Sequence, residues 1–254
     1  MYYKKTCRIN DKIEIEKYPC LRYGAPGMKR EKKKEQTPEE MARHNMWKRN
    51  RDVRRILELN FKGGDLWVTL TCDRDKRPDK EDAPKVIRNF RDKLAREYKK
   101  RGWVMKYIIT CETGSRGATH WHMVLNDARD GTVTAWDLVR KHWTRGRPHM
   151  ESLDENRDYG KLAEYMLKEA KKRMDRDGTI EKMSYIISRN MVRPVEKKEK
   201  KRAVTWKKEP AVPKGYRIKP GTLVNGRNPF NGMPYQHYTL EPVGKGGRDG
   251  TETG

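Results

Sequence analysis

Three groups of side chains in this sequence are spaced for chemistry. His120 and His122 sit in the run Thr119-His120-Trp121-His122-Met123-Val124-Leu125-Asn126. Its apolar and β-branched character predicts a short strand, whose side chains alternate between faces. Both imidazoles then point one way, and Trp121 and Met123 the other. Two imidazoles on one rigid strand make half of a metal site, although the same spacing suits two ordinary half-buried histidines. Glu112 is the natural third ligand, because it ends the preceding strand and the turn Thr113-Gly114-Ser115-Arg116-Gly117 is short enough for antiparallel pairing. Tyr165 is the third feature. At about 100° per residue it lies opposite the stripe Tyr159, Leu162, Ala163, Met166, Leu167 and Ala170, among Lys161, Lys168 and Lys172. Core packing does not place a tyrosine among lysines, although an exposed surface tyrosine would have the same neighbours.

The elements that must position these residues can be read in chain order. Residues 1–37 are basic and look irregular, with a brief alternation at Ile13 and Ile15 and a charge run over 29–34. Thr37-Pro38-Glu39-Glu40 supplies an N-cap, a proline at the first helical position and first-turn acids, so a helix starts there and reaches about Leu59. Its surface carries Arg43, Lys48, Arg49, Arg51, Arg54 and Arg55. Gly63-Gly64 breaks the chain before a first core strand over 66–72, followed by a helix over 82–101 with Val86, Ile87, Phe90, Leu94 and Tyr98 on its apolar face. A strand over 103–112 presents Tyr107, Ile109 and Cys111 on one face and Ile108, Thr110 and Glu112 on the other. After the histidine strand come a helix near 134–143, an extended piece around 148–152, a long helix over 158–174 and a last strand over 183–187. The order strand–helix–strand–strand–helix–strand predicts an α+β fold with a ferredoxin-like, split βαβ antiparallel sheet. Three regions follow: a basic N-terminal arm and helix (1–63), a catalytic domain (64–190) and a basic, Pro- and Gly-punctuated extension (191–254) whose end, 244–254, is expected to be disordered.

Composition narrows the partners. The chain has 254 residues, 60 Lys+Arg against 36 Asp+Glu and a formal charge of +24, which points to a polyanion. No apolar run approaches the roughly 20 residues that span a bilayer, and the N-terminus lacks a signal-peptide h-region. Cys7, Cys20, Cys72 and Cys111 form no C-x-x-C pair and read as reduced thiols of a cytoplasmic protein. No G-x-x-x-x-G-K-[ST] motif is present, so the chain has no P-loop nucleotide triphosphate site.

Three motifs in the same order resemble those of the rolling-circle replication initiators of the HUH endonuclease superfamily, of the small kind carried by single-stranded DNA phages and plasmids. Trp67-Val68-Thr69-Leu70-Thr71 resembles the first strand, His120-Trp121-His122 the metal-binding pair, and Tyr165-Met166-Leu167-Lys168 the Tyr-x-x-Lys of the nucleophile. The resemblance covers residues 64–190. It implies a tyrosine that attacks single-stranded origin DNA, leaving a 5′-phosphotyrosine and a free 3′-hydroxyl for a host polymerase, with unwinding by a host helicase. Such initiators often carry two tyrosines one helical turn apart. Here Tyr159 and Tyr165 are six residues apart on different faces, which leaves Tyr165 as the single nucleophile and Lys168 as its partner.

One divalent ion on Glu112, His120 and His122 would polarise the scissile phosphate. The mixed ligands suit Mn²⁺ or Mg²⁺, and two imidazoles also accept Zn²⁺. Arg116, Lys161, Trp67 and Trp143 are candidates to hold the strand through phosphate contacts and stacking, with core packing the alternative for both tryptophans. Two other classes fit part of the pattern: a non-enzymatic basic single-stranded DNA- or RNA-binding protein, and a single-tyrosine transposase of the same superfamily.

Overall fold

The computed structural model describes residues 1–20, 37–79, 81–113, 118–156, 158–168 and 185–243. In chain order the elements are β1 (Tyr2–Ile9), β2 (Lys12–Pro19), α1 (Pro38–Asn60), β3 (Leu66–Leu70), α2 (Ala83–Lys100), β4 (Tyr107–Thr113), β5 (Thr119–Leu125), α3 (Ala135–His142), β6 (His149–Ser152), α4 (Gly160–Met166), β7 (Tyr185–Ile187), β8 (Glu196–Lys201), β9 (Tyr216–Ile218), β10 (Val224–Arg227) and β11 (Pro234–Pro242). They divide into two compact units, one of residues Ala42–Arg193 and one that joins Met1–Met41 to Pro194–Gly254.

The larger unit is built on a five-stranded sheet in the order β6-β3-β5-β4-β7, antiparallel throughout. Its first four strands, with α2 and α3 as crossovers, have the expected split βαβ arrangement; β7 adds a fifth strand beside β4. Strand alternation separates two cores. Val68, Leu70, Ile109, Trp121, Met123 and Leu125 pack with Ile87, Phe90, Leu94 and Tyr98 of α2 and Leu138 and Val139 of α3. On the opposite face Ile108 and Val124 meet Val53, Ile56 and Leu57 of α1 and Ala163 and Met166 of α4. Burying each such side chain contributes about 1.5–3 kcal/mol, so a one-residue slip of a central strand would exchange both cores and is excluded energetically.

Local signals explain the helix ends. Thr37 and Glu40 form a reciprocal capping box, each backbone N–H reaching the other's side chain at 3.2 Å. Thr134 and Asp137 do the same for α3. Helix α2 stops where Gly102 takes a φ of 71° and Trp103 N–H turns back to the Tyr98 carbonyl. That return is why β4 begins at Tyr107 and not at Trp103 as the sequence predicted. β3 ends at Leu70, before the expected Cys72, because the Thr71 carbonyl accepts the Trp143 indole N–H at 2.7 Å and the Asp73 N–H turns to the Arg145 carbonyl. Helix α4 is described to Met166; the expected continuation over 169–174 lies outside the described residues.

The smaller unit corrects the expectation of an irregular N-terminus. Residues 1–20 form the β1–β2 hairpin, turned at Asn10, whose φ is 54°. That hairpin continues into a six-stranded sheet, with β8 beside β1 and β11 beside β2, and with β10 and β9 both pairing β11. Ile13, Ile15, Tyr238 and Leu240 make its small core. The partners of β1 and β2 come from the other end of the chain, so no local pattern announces them. The expected disorder of 244–254 concerns residues outside those described. Among the described residues no helix is long and apolar enough to cross a membrane.

Candidate active site

Register brings the three expected ligands together. On β5, His120 lies directly across from Glu112 of β4, and His122 lies between Thr110 of β4 and Thr69 of β3. Alternation puts all of them on the sheet face that carries α1 and α4. Glu112 Oε2 is 3.1 Å from His122 Nε2 and 3.4 Å from His120 Nε2. The three candidate ligand atoms lie within 4.8 Å of one another, a spacing that one divalent ion can bridge. With two nitrogens and a carboxylate oxygen converging, and Glu112 and His122 buried, the donor set fits such an ion.

Helix α4 borders this cluster. Its apolar stripe packs inward, with Tyr159 3% exposed, while Tyr165 is 41% exposed. The sequence left open whether Tyr165 faces solvent or the histidines, and it does both. Its ring is partly open, and its hydroxyl lies 3.3 Å from His122 Nε2. Just past the helix, Lys168 Nζ donates to Glu112 Oε1 at 3.3 Å and sits 5.3 Å from the Tyr165 ring centroid. One ammonium therefore touches the opposite carboxylate oxygen from the histidines and also approaches the phenol.

Two residues of the first strand hold His122. The Trp67 indole stacks parallel on its ring, with centroids 5.1 Å apart and an interplanar angle of 2°, and meets Tyr165 edge-on at 5.7 Å. Thr69 Oγ1 lies 3.1 Å from His122 Nδ1. Sequence reading noted Thr69 only as part of a motif and missed this bond. The signal was available, because Trp67 and Thr69 are two apart and so share one strand face.

Electrostatics suit the cluster to a cation. Burial opposes the charge on Glu112, but hydrogen bonds from His122 and Lys168, together with the Lys168 charge, hold its carboxyl below the usual carboxylate range. Burial likewise holds the His122 imidazole below the usual histidine range, against a smaller opposing pull from Glu112. An ionised carboxylate and a neutral imidazole are the forms that bind metals.

The residues expected to hold DNA separate. Lys161 is exposed on α4. Trp67 is half-buried and spends one face on His122. Trp143 is corrected to a core residue: it is buried against Phe90 and Trp121, and its indole N–H is taken by Thr71, so its ring offers no face to a base. Arg116, together with Ala170 and Lys172, lies outside the described residues.

No curated protein and no solved structure matches the chain. Residues 65–173, which contain Glu112, His120, His122, Tyr165 and Lys168, match the model of a family of replication-associated proteins, the ORF2 type.

Proposed function

We propose that this chain is a replication initiator that nicks single-stranded origin DNA by a divalent-metal-dependent transesterification at Tyr165, within residues 64–190. The observation that carries the reading is a tyrosine hydroxyl 3.3 Å from one member of a Glu-His-His cluster whose carboxylate is also held by Lys168. A non-enzymatic binding protein has no need of that convergence. The family match over the same stretch supports the replication setting.

Glu112, His120 and His122 would hold the ion, Mn²⁺ or Mg²⁺. When bound, it supplies Lewis-acid polarisation of the scissile phosphate and stabilises charge in the in-line transition state. The chain's own residues do the rest. The Tyr165 oxygen bonds to phosphorus as the bond from phosphorus to the 3′ oxygen breaks. The phenolic proton is lost to solvent, and the leaving oxygen is protonated to a 3′-hydroxyl. Lys168 offsets the negative charge of the phenolate and the phosphate; its contact with Glu112 holds it where both are within reach. Trp67 and Thr69 fix the plane and rotation of His122. The phosphodiester energy is kept in the 5′-phosphotyrosine, so the reverse attack by a 3′-hydroxyl rejoins ends. Tyr159, buried in the core, takes no part in this scheme.

The released 3′-end is a primer for a host polymerase, and with no P-loop motif in the chain, unwinding falls to a host helicase in the bacterial cytoplasm. The test is a nicking assay on end-labelled single-stranded DNA with Mn²⁺. Cleavage should vanish in EDTA and in His120→Ala and His122→Ala, while most single-strand affinity remains. Wild-type nicking by the double histidine variant in EDTA would remove the metal from the scheme.

A further inference from the structure

Helix α1 carries a feature that the nicking scheme does not use. Of the seven tryptophans in the chain, Trp47 is the one that is exposed, at 41%. Its ring is dressed by cationic and aromatic neighbours on the same helix. The Arg51 guanidinium lies over it at 5.0 Å from the centroid, and the His44 ring is tilted against it at 6.2 Å. Arg54 continues the same helical face, since positions 47, 51 and 54 stand one turn apart along an α-helix. Glu58 orients Arg54 through an ion pair of 3.0 Å. The far end of this stripe reaches the nucleophile's helix: a Cβ placed on Gly160, the first residue of α4, would lie 3.9 Å from Arg54 Cδ. From Trp47 to Arg54 is about 10 Å along the axis. The potential there is positive: burial, then the charges of Lys48 and Arg51, hold His44 below its ordinary range.

We infer that Trp47, Arg51 and Arg54 form a track for single-stranded DNA leading towards Tyr165, with one base stacked on Trp47 and phosphates paired with the two arginines. The occupant is chosen by chemistry. An exposed indole held by a guanidinium offers a π-face to any base, and arginines beside it match a phosphate backbone, which together make a sequence-tolerant single-strand site. A duplex keeps its bases stacked and cannot use the indole. The inference rests on the single-stranded DNA reading of the active site, and it extends the strand's path beyond the nicked phosphate.

The test is fluorescence anisotropy of the full chain with a short fluorescein-labelled single-stranded oligonucleotide in EDTA, where binding is measured without cleavage. Trp47→Ala should weaken binding about 5- to 100-fold, the loss that goes with one aromatic–base stack. Trp47→Tyr should retain most of the affinity. The salt dependence separates the two kinds of contact. Trp47→Ala should leave the slope of log K against log salt unchanged, whereas Arg51→Ala should reduce its magnitude by about 0.7. Because the ring is exposed, Trp47→Ala should melt with the wild type. Wild-type affinity in Trp47→Ala overturns the track, as does an equal loss in Trp47→Tyr or an equal loss on duplex DNA. Absence of single-strand binding by the wild type would instead overturn the nicking reading on which the track rests.

Discussion

Replacing Thr69 by valine tests how the site is organised, because it removes one hydroxyl and keeps the shape. In the metal-free protein His122 Nε2 is 3.1 Å from Glu112 Oε2, so its N–H donates to that carboxylate. Nδ1 then accepts from the Thr69 hydroxyl, 3.1 Å away. A cation on Nε2 reverses this: Nε2 gives up its proton, Nδ1 carries it, and the Thr69 oxygen becomes the acceptor. A hydroxyl serves both tautomers, whereas valine serves neither. Without metal, the variant leaves a buried lone pair without a partner. With metal, it leaves a buried N–H polarised by the ion, which costs more because hydrogen bonds from charged donors are about twice as strong. The difference is about 1–2 kcal/mol, or roughly a 5- to 30-fold weaker Mn²⁺ affinity. Calorimetric titration or the electron paramagnetic resonance of free Mn²⁺ measures it directly. Thr69→Ser should restore the affinity. A folded Thr69→Val that binds Mn²⁺ as tightly as the wild type would refute the reasoning.

Two further predictions concern stability. Asp65 is buried and accepts from the Lys62 and Asp127 N–H groups, one on each carboxylate oxygen and each at 2.8 Å. Asp65→Ala strands both donors and should cost about 2–4 kcal/mol in denaturant unfolding, with Asp65→Asn losing less; an unchanged midpoint would show that water replaces the carboxylate. The metal-free protein should also lose stability on acidification in two stages. The folded His122 pKa lies below its ordinary 6.5, so the unfolded chain takes up that proton first and stability begins to fall below pH 6.5; Glu112, also lowered, contributes stability above its ordinary 4.5 that is lost as pH falls through its folded value. His122→Ala should flatten the first stage and Glu112→Gln the second in melting curves taken against pH, and parallel wild-type and variant curves would contradict the assignment.

The site was more legible in the sequence than the chain's packing was. Strand alternation is a local property, so the shared face of His120 and His122 and the neighbouring position of Glu112 followed from two short runs and the turn between them. The sheet order β6-β3-β5-β4 followed from the element order because crossover rules leave few alternatives. The N-terminal hairpin was not legible: its neighbours β8 and β11 lie near the other end of the chain, and a strand such as Tyr2–Ile9, with lysines at its centre, has no apolar alternation to mark it. Trp143 was ambiguous for a related reason. An indole in a helix-end sequence looks alike whether it meets a base or Phe90 and Trp121, and only the tertiary packing decides. The side chain of Tyr165 was placed on the correct helix face, but helical phase alone does not say that this face borders the histidines.

The central claim is that the Tyr165 oxygen is the nucleophile in a covalent reaction with DNA. Incubation with single-stranded DNA labelled on the 3′ side of the nick, in Mn²⁺, should give an SDS-resistant protein–DNA species, and peptide mapping should place the nucleotide on Tyr165. Tyr165→Phe should keep the fold, the metal and DNA affinity yet form no adduct, while Tyr159→Phe should remain active with at most a small loss of stability. A nucleotide mapped to Tyr159, or an undiminished adduct in Tyr165→Phe, would contradict the choice of nucleophile, and no adduct in the wild type under any divalent metal would contradict the enzyme.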